Sequence, residues 1–139
     1  MSFPSSLHDT VKPVPAILPG TPVSDNTPVV SAILDTAGFE AVELVILTGA
    51  LADADATFAV LLEHGDTANL SEAAAVADDE LIGTETEAGF TAADDGTTRK
   101  IGYRGMKRYL RATVTPSGNS AAAALAAVWL LAGSRRQPV

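Results

Sequence analysis

The chain has 139 residues, 47% of them hydrophobic, with 17 acidic and 9 basic side chains, no cysteine and a formal net charge of −8. This length suits one domain that buries roughly two-thirds of the surface its unfolded form exposes, and the lack of cysteine excludes disulfides, zinc–thiolate sites and a cysteine nucleophile. The charge is segregated: all 17 acidic residues precede Gly96 and eight of the nine basic ones follow Thr98, so residues 1–98 carry −16 and residues 99–139 carry +8.

Residues 1–28 hold six of the eight prolines. Proline lacks an N–H and biases its predecessor toward extended geometry, so neither helix nor central strand is expected there. Phe3, Val11, Val14, Ile17, Leu18 and Val23 make the segment too apolar for a solvated linker. An extended N-terminal arm lying along a surface, its own or a partner's, fits both facts; the alternative is a disordered tail. Met1–Thr10 has no basic residue and no apolar run, unlike a secretory signal.

From residue 29 to residue 139 short apolar runs alternate with turn signals, the rhythm of a sandwich or barrel. Val29–Leu34, Ala41–Thr48 and Thr57–His64 read as strands, the last two apolar on one face and mixed on the other. Leu70–Leu81 is expected to hold one short helix or an irregular crossover, since Ser71–Ala75 has helix propensity but Asp78-Asp79-Glu80 interrupts it. Phe90–Ala93 and Lys100–Tyr103 flank Asp94-Asp95-Gly96, which signals a hairpin. Tyr109–Thr115 is a strand closed by Pro116–Asn119. Ala121–Ala132 carries both helical spacing and the pattern of a strand buried on two sides, and its residues alone do not separate the two. The apolar stretch Ala121–Gly133 is 13 residues long, short of the roughly 20 that span a bilayer. A soluble chain without a membrane partner is expected.

Catalytic chemistry is sparse. His8 and His64 lack metal-ligand spacing, and His64 is expected as a surface residue beside a turn. Asp53-Ala-Asp55 lacks the remaining ligands of a calcium loop and reads as a solvated loop; Asp78-Asp79-Glu80 reads as solvent-facing. Gly102 and Gly105 suit a bulge or turn. No nucleophile elbow, phosphate loop or dinucleotide fingerprint is present. The expectation is no enzyme, no catalytic or metal site, no cofactor and no small-molecule substrate.

Six basic residues, Arg99, Lys100, Arg104, Lys107, Arg108 and Arg111, fall within 13 positions. They either make a directional contact with a partner or pair with acidic neighbours in the same fold. Tyr103 and Tyr109 among them suit nucleic acid, but the −16 of the preceding segment repels a polyanion. No nucleic-acid partner is expected.

The run Lys100-Ile101-Gly102-Tyr103-Arg104-Gly105, continuing into Lys107-Arg108-Tyr109-Leu110-Arg111 and a Thr-Val-Thr strand, resembles the cementing (decoration) proteins of tailed-bacteriophage heads. The alanine-rich run closing in Gly133–Val139 fits the same group. The resemblance covers about Thr27 to the C-terminus. It implies an all-β, jelly-roll-like β-sandwich over residues 29–139, preceded by the arm of residues 1–28, with Ala121–Ala132 as a strand. It implies a virion protein, made in the host cytoplasm, that binds the outer surface of the capsid and cements neighbouring major capsid subunits. A homodimer is the leading assembly and a trimer the next. The candidate partner-contacting residues are the six clustered cations with Arg135 and Arg136, and Phe3, Val11, Val14 and Ile17 of the arm. Two alternatives compete: another small virion component, in head completion or the tail, and a carbohydrate-binding jelly roll, against which Trp129 inside an apolar run argues.

Overall fold

Alternation of apolar and polar residues puts most of this chain into antiparallel strands. The computed structural model describes residues 6–134, 136 and 139. In chain order it has a helical turn α1 (Leu7–Thr10), then β1 (Lys12–Ile17), β2 (Val29–Val30), β3 (Leu34–Asp35), β4 (Ala41–Leu51) and β5 (Thr57–Gly65). There follow β6 (Ala74–Ala75), β7 (Leu81–Ile82), the short helix α2 (Glu85–Ala88), β8 (Phe90–Thr91), β9 (Thr98–Tyr103), β10 (Tyr109–Ser117) and β11 (Ala123–Ala132).

One sheet has the order β1-β11-β4-β9-β7 and the other β2-β10-β5-β6, with β3 also on β10 and β8 also on β5. Along the chain, β1, β2 with β3, β4, β5, β6 with β8, β9, β10 and β11 fill the two sheets in the interleaved order of a jelly roll. The fold is an all-β, jelly-roll-like sandwich. Its core lies between the sheets. β4 contributes Val42, Leu44 and Ile46, and β5 contributes Phe58, Val60 and Leu62. Leu110, Ala112 and Val114 of β10 and Trp129 and Leu131 of β11 complete the central layer.

The proline-rich segment supplies β1, an edge strand whose Val14 lies opposite Trp129 of β11. Ala16 and Ile17 belong to the common core, so Lys12–Ile17 packs on the chain's own sheet. The single turn α1 fits between Pro4 and Pro13 because four residues need no proline-free run longer than that.

Several sequence expectations change. Val29–Leu34 is two short strands, because Ser31 is buried and its Oγ accepts a hydrogen bond from Ala112 N (2.9 Å). Ser71–Ala75 is a crossover ending in β6. The Asp94-Asp95-Gly96 hairpin does not form: β8 pairs with β5 in one sheet, whereas β9 pairs with β4 and β7 in the other. A capping box at Thr91 and Asp94 and the bond from Leu51 N to Asp95 Oδ1 (2.8 Å) turn this segment across the end of the sandwich. Gly102 lies in regular strand, not a bulge. A Cβ there would stand 2.9 Å from Ile82 Cβ and 2.8 Å from Glu43 Oε1, so only glycine lets β7 approach. Ala121–Ala132 is strand from residue 123 onward, paired on both sides by β1 and β4.

Replacing Leu44, which is fully buried in β4, by alanine is expected to cost about 2–5 kcal/mol of unfolding free energy. Ser117→Ala, at the exposed end of β10, should stay within about 0.5 kcal/mol. Urea unfolding followed by Trp129 fluorescence reads both.

Candidate interaction face

Five of the six clustered cations make a side-chain hydrogen bond or ion pair inside the chain. Arg111 stands directly opposite Glu63 across β10 and β5 and donates to its Oε1 at 3.0 Å. Arg108 grips Asp35 with two bonds of 2.8 Å and lies 5.1 Å from the centre of the Tyr109 ring. Lys107 Nζ donates to Asp66 Oδ2 at 2.8 Å, and Arg99 pairs with Asp94. Arg104 Nε donates to the Asp79 carbonyl at 2.9 Å. Lys100 stands beside Glu43, whose carboxyl is raised by burial and partly lowered again by the Lys100 charge. The basic run thus meets the acidic half of the same fold. Exposed pairs of this kind each contribute little to stability.

Of the other sequence candidates, Ile17 is buried and Val14 packs against the core, while Val11 is half-buried. Arg136 is exposed, its backbone N–H donating to Ser134 Oγ at 3.1 Å. Phe3 and Arg135 lie outside the described residues.

Sequence reasoning missed a polar cluster at one end of the core. His64 is 8% exposed, not a surface residue. Its Nδ1 lies 2.8 Å from Tyr103 Oη, which also accepts the Lys107 N–H at 3.0 Å, and Glu80 Oε2 is 3.9 Å away. Burial raises the Tyr103 phenol above its ordinary value. A side chain at Gly105 would collide with Tyr103 and Glu80, so that glycine serves close approach in the turn. The cluster is enclosed by its own chain and ties β5 to β9. Asp53 is likewise more than a solvated loop: its Oδ2 accepts from Ser120 N (2.8 Å) and Ser120 Oγ (3.0 Å). Among the described residues no three His, Asp or Glu side chains converge on a metal position.

What remains open is a surface. Strand alternation sends every second residue of the five-stranded sheet outward. On β11 these are Ala124, Ala126, Val128, Leu130 and Ala132. On β4 they are Ala41, Glu43, Val45, Leu47 and Gly49, with Pro13 and Pro15 from β1 alongside. Beyond them lie Thr98, Lys100 and Gly102 of β9 and Ile82 of β7. Leu47 and Ile82 are each 54% exposed and Val128 39%. At one end Leu47, Ala124 and Ala126 border a shallow groove of about 230 Å³ shared with Pro19 and Gly20. Among the described residues of these strands Glu43 and Lys100 are the charged ones that point outward, and Glu87 and Arg99 join them along a groove at the β9–β7 side of the face.

The opposite sheet presents a different exterior. Thr57, Ala59, Leu61 and Glu63 of β5 face outward with Tyr109, Arg111, Thr113 and Thr115 of β10. Polar residues dominate there, and charges pair across strands. No described aromatic ring stands fully exposed on either face: Phe58, Phe90, Tyr103 and Trp129 are buried, and Phe39 and Tyr109 are half-buried.

No protein-family model matches this sequence, and no curated protein matches it. Among solved structures the chain is similar to a chain in the structure of the infectious bursal disease virus Gx strain, at 12% identity and a TM-score of 0.43. That alignment covers 94% of this chain and 33% of the viral one, so the chain spans about a third of its length. It is also similar to the xylan-binding module CBM15, at 10% identity and a TM-score of 0.41, covering 95% of this chain and 96% of that one. For the CBM32 of AlyQ in complex with 4,5-unsaturated mannuronic acid, the values are 12% identity, a TM-score of 0.38, and 86% and 97% coverage.

The internal pairs carry a pH signature. Hydrogen bonds from Arg108 hold the Asp35 carboxyl at about 2, and those from Thr67 hold Glu72 at about 2. Both values lie below the ordinary ones, so each group stabilises the fold above about pH 4 and ceases to as pH falls toward about 2. Asp35→Asn with Glu72→Gln should therefore flatten the fall of the urea midpoint between those values. An unchanged slope would contradict this assignment.

Proposed function

We propose that this chain is a structural virion protein that binds the outer surface of a phage capsid and cements neighbouring major capsid subunits, stabilising the head without enzymatic chemistry. One observation carries the reading: a broad, largely apolar sheet face stands open on a jelly roll in which five of the six clustered cations are engaged internally. Flat apolar surface of this kind suits burial against protein within an assembly, which a homodimer bridging neighbouring capsid subunits would supply. Its centre, along β11 and β4, is apolar, and the polar groups gather in a groove at the β9–β7 side. The resemblance of the Lys100–Arg111 region to head-cementing proteins supplies the partner, the major capsid protein. Cementing needs many modest contacts repeated over a lattice, and repetition at high effective concentration strengthens each.

The buried rings speak against the carbohydrate reading, which needs an exposed stacking platform. The virion reading is tested by adding the purified chain to expanded heads that lack it. Stoichiometric uptake and a higher temperature of head disruption are expected. Because the basic run is paired within the chain, uptake should persist in high salt, where exposed charge attraction is screened. Failure to add to heads sinks the proposal, as does a copy number of only a few per virion.

A further inference from the structure

We infer that the outer face of the five-stranded sheet is a contact between two copies of this chain, packed sheet against sheet. The bridging role of such a pair rests on the cementing reading; the contact itself does not.

The strand that crosses the middle of this face argues for a cover. β11 reads Ala-Ala-Leu-Ala-Ala-Val-Trp-Leu-Leu-Ala, with no polar side chain on either side. Strands apolar on both faces are those buried on both faces. Here the inner side meets the core, and among the described residues no second layer covers the outer side.

Lateral association is closed. Glu40 N donates to Ala132 O, which directs the even-numbered carbonyls of β11 toward β4. The ladder to β1 then falls on odd-numbered β11 residues, opposite Lys12 and Val14. Pro13 and Pro15 hold the positions facing away, where no N–H remains for an added strand. At the far side β7 and α2 cover β9. The face is what the sheet still offers.

Charge selects the occupant. The chain carries −8, so two copies repel wherever their acidic surfaces meet. On this face the charges gather at the β9–β7 side, where Glu43 and Glu87 are offset by Lys100 and Arg99, and the described residues of β11, β1 and the rest of β4 that face outward are neutral. A charged partner gains nothing here, whereas an equally flat apolar face does, and the chain itself supplies one. Size also fits. Strands β1, β11, β4 and β9 span a planar footprint of roughly 500 Å² at ordinary strand spacing. Side-chain relief raises its accessible area toward the ~800 Å² per partner of a standard interface. Two such sheets stack about 10 Å apart.

Sedimentation of the full chain tests this. A dimer is expected, and Leu47→Glu with Val128→Glu should weaken it by at least about a hundredfold, since each carboxylate would be buried unpaired. Both positions are solvent-facing in the monomer, so circular dichroism should be unchanged. The native chain has no cysteine, so Val128→Cys, near the centre of the face, should form a disulfide-linked dimer under mild oxidation. Thr115→Cys, outside the other sheet, should not. A monomeric wild type, a dimer that survives the double substitution, or equal cross-linking at both positions overturns the inference. Uptake by heads separates the two readings. A face-to-face dimer that does not add to heads leaves the contact standing and removes the cementing role. A monomer whose uptake is lost on the double substitution assigns the face to the capsid and overturns the contact.

Discussion

The antiparallel ladder between β4 and β11 is the contact on which the rest of the molecule depends. It joins segments more than 70 residues apart, from Leu51 opposite Ala123 to Ala41 opposite Ala132. Loop-closure cost grows slowly with length, so this separation is tolerable once the ladder carries a core. The register sends Leu44, Ile46, Trp129 and Leu131 inward. A slip of one residue would exchange them for Val45, Leu47, Val128 and Leu130. On β4 that exchange would also turn Glu43 into the core, whereas on β11 it swaps apolar for apolar, so hydrophobicity alone specifies the register of that strand weakly. Size and the flanking strands specify it instead. Only the inward set places Trp129 between the sheets, and only this register leaves Gly102 beside Ile82 and Glu43.

The division of charge along the sequence is resolved within the fold. A jelly roll interleaves its early and late strands, so β10, from the basic end, lies against β5 from the acidic one. Arg111 and Glu63 are cross-strand neighbours because the topology makes them so, and Arg108 reaches Asp35 through the pairing of β10 with β3. Neutralising the basic run in this way leaves an acidic excess over the remaining surface, which makes a neutral face the more distinctive feature.

The strands of highest contrast were legible in the sequence. Ala41–Thr48, Thr57–His64 and Tyr109–Thr115 alternate cleanly and appear as β4, β5 and β10 with only their ends extended. What was hidden depends on long-range partners. The Asp-Gly signal at residues 95 and 96 is a local preference, and capture of its flanks by two different sheets overrode it. His64 looked exposed because it follows a strand and precedes a turn; Tyr103, 39 residues on, encloses it. The parity of the β5 strand, which sends Phe58, Val60 and Leu62 inward, sends His64 inward too, and that was the available signal. Two of the prolines, Pro13 and Pro15, fall within β1. Their alternate spacing also held the information that the arm is an edge strand.

The ambiguity of β11 and the open face have one origin. Alanine at five of its ten positions gives the segment helical propensity, and nothing on its outer side supplies the polar alternation that marks a half-exposed strand. Pairing by β1 and β4 overrides that propensity by occupying the backbone on both sides. The outer alanines then have a consequence that larger residues would not. With glycines at 49 and 102 they keep the sheet low, so that Leu47, Val128 and Leu130 stand as ridges above a shallow floor. Ridges of branched side chains over small residues are the relief that sheet-on-sheet packing interdigitates. The feature that made this strand hard to classify is thus the one expected of a strand with a second layer to meet.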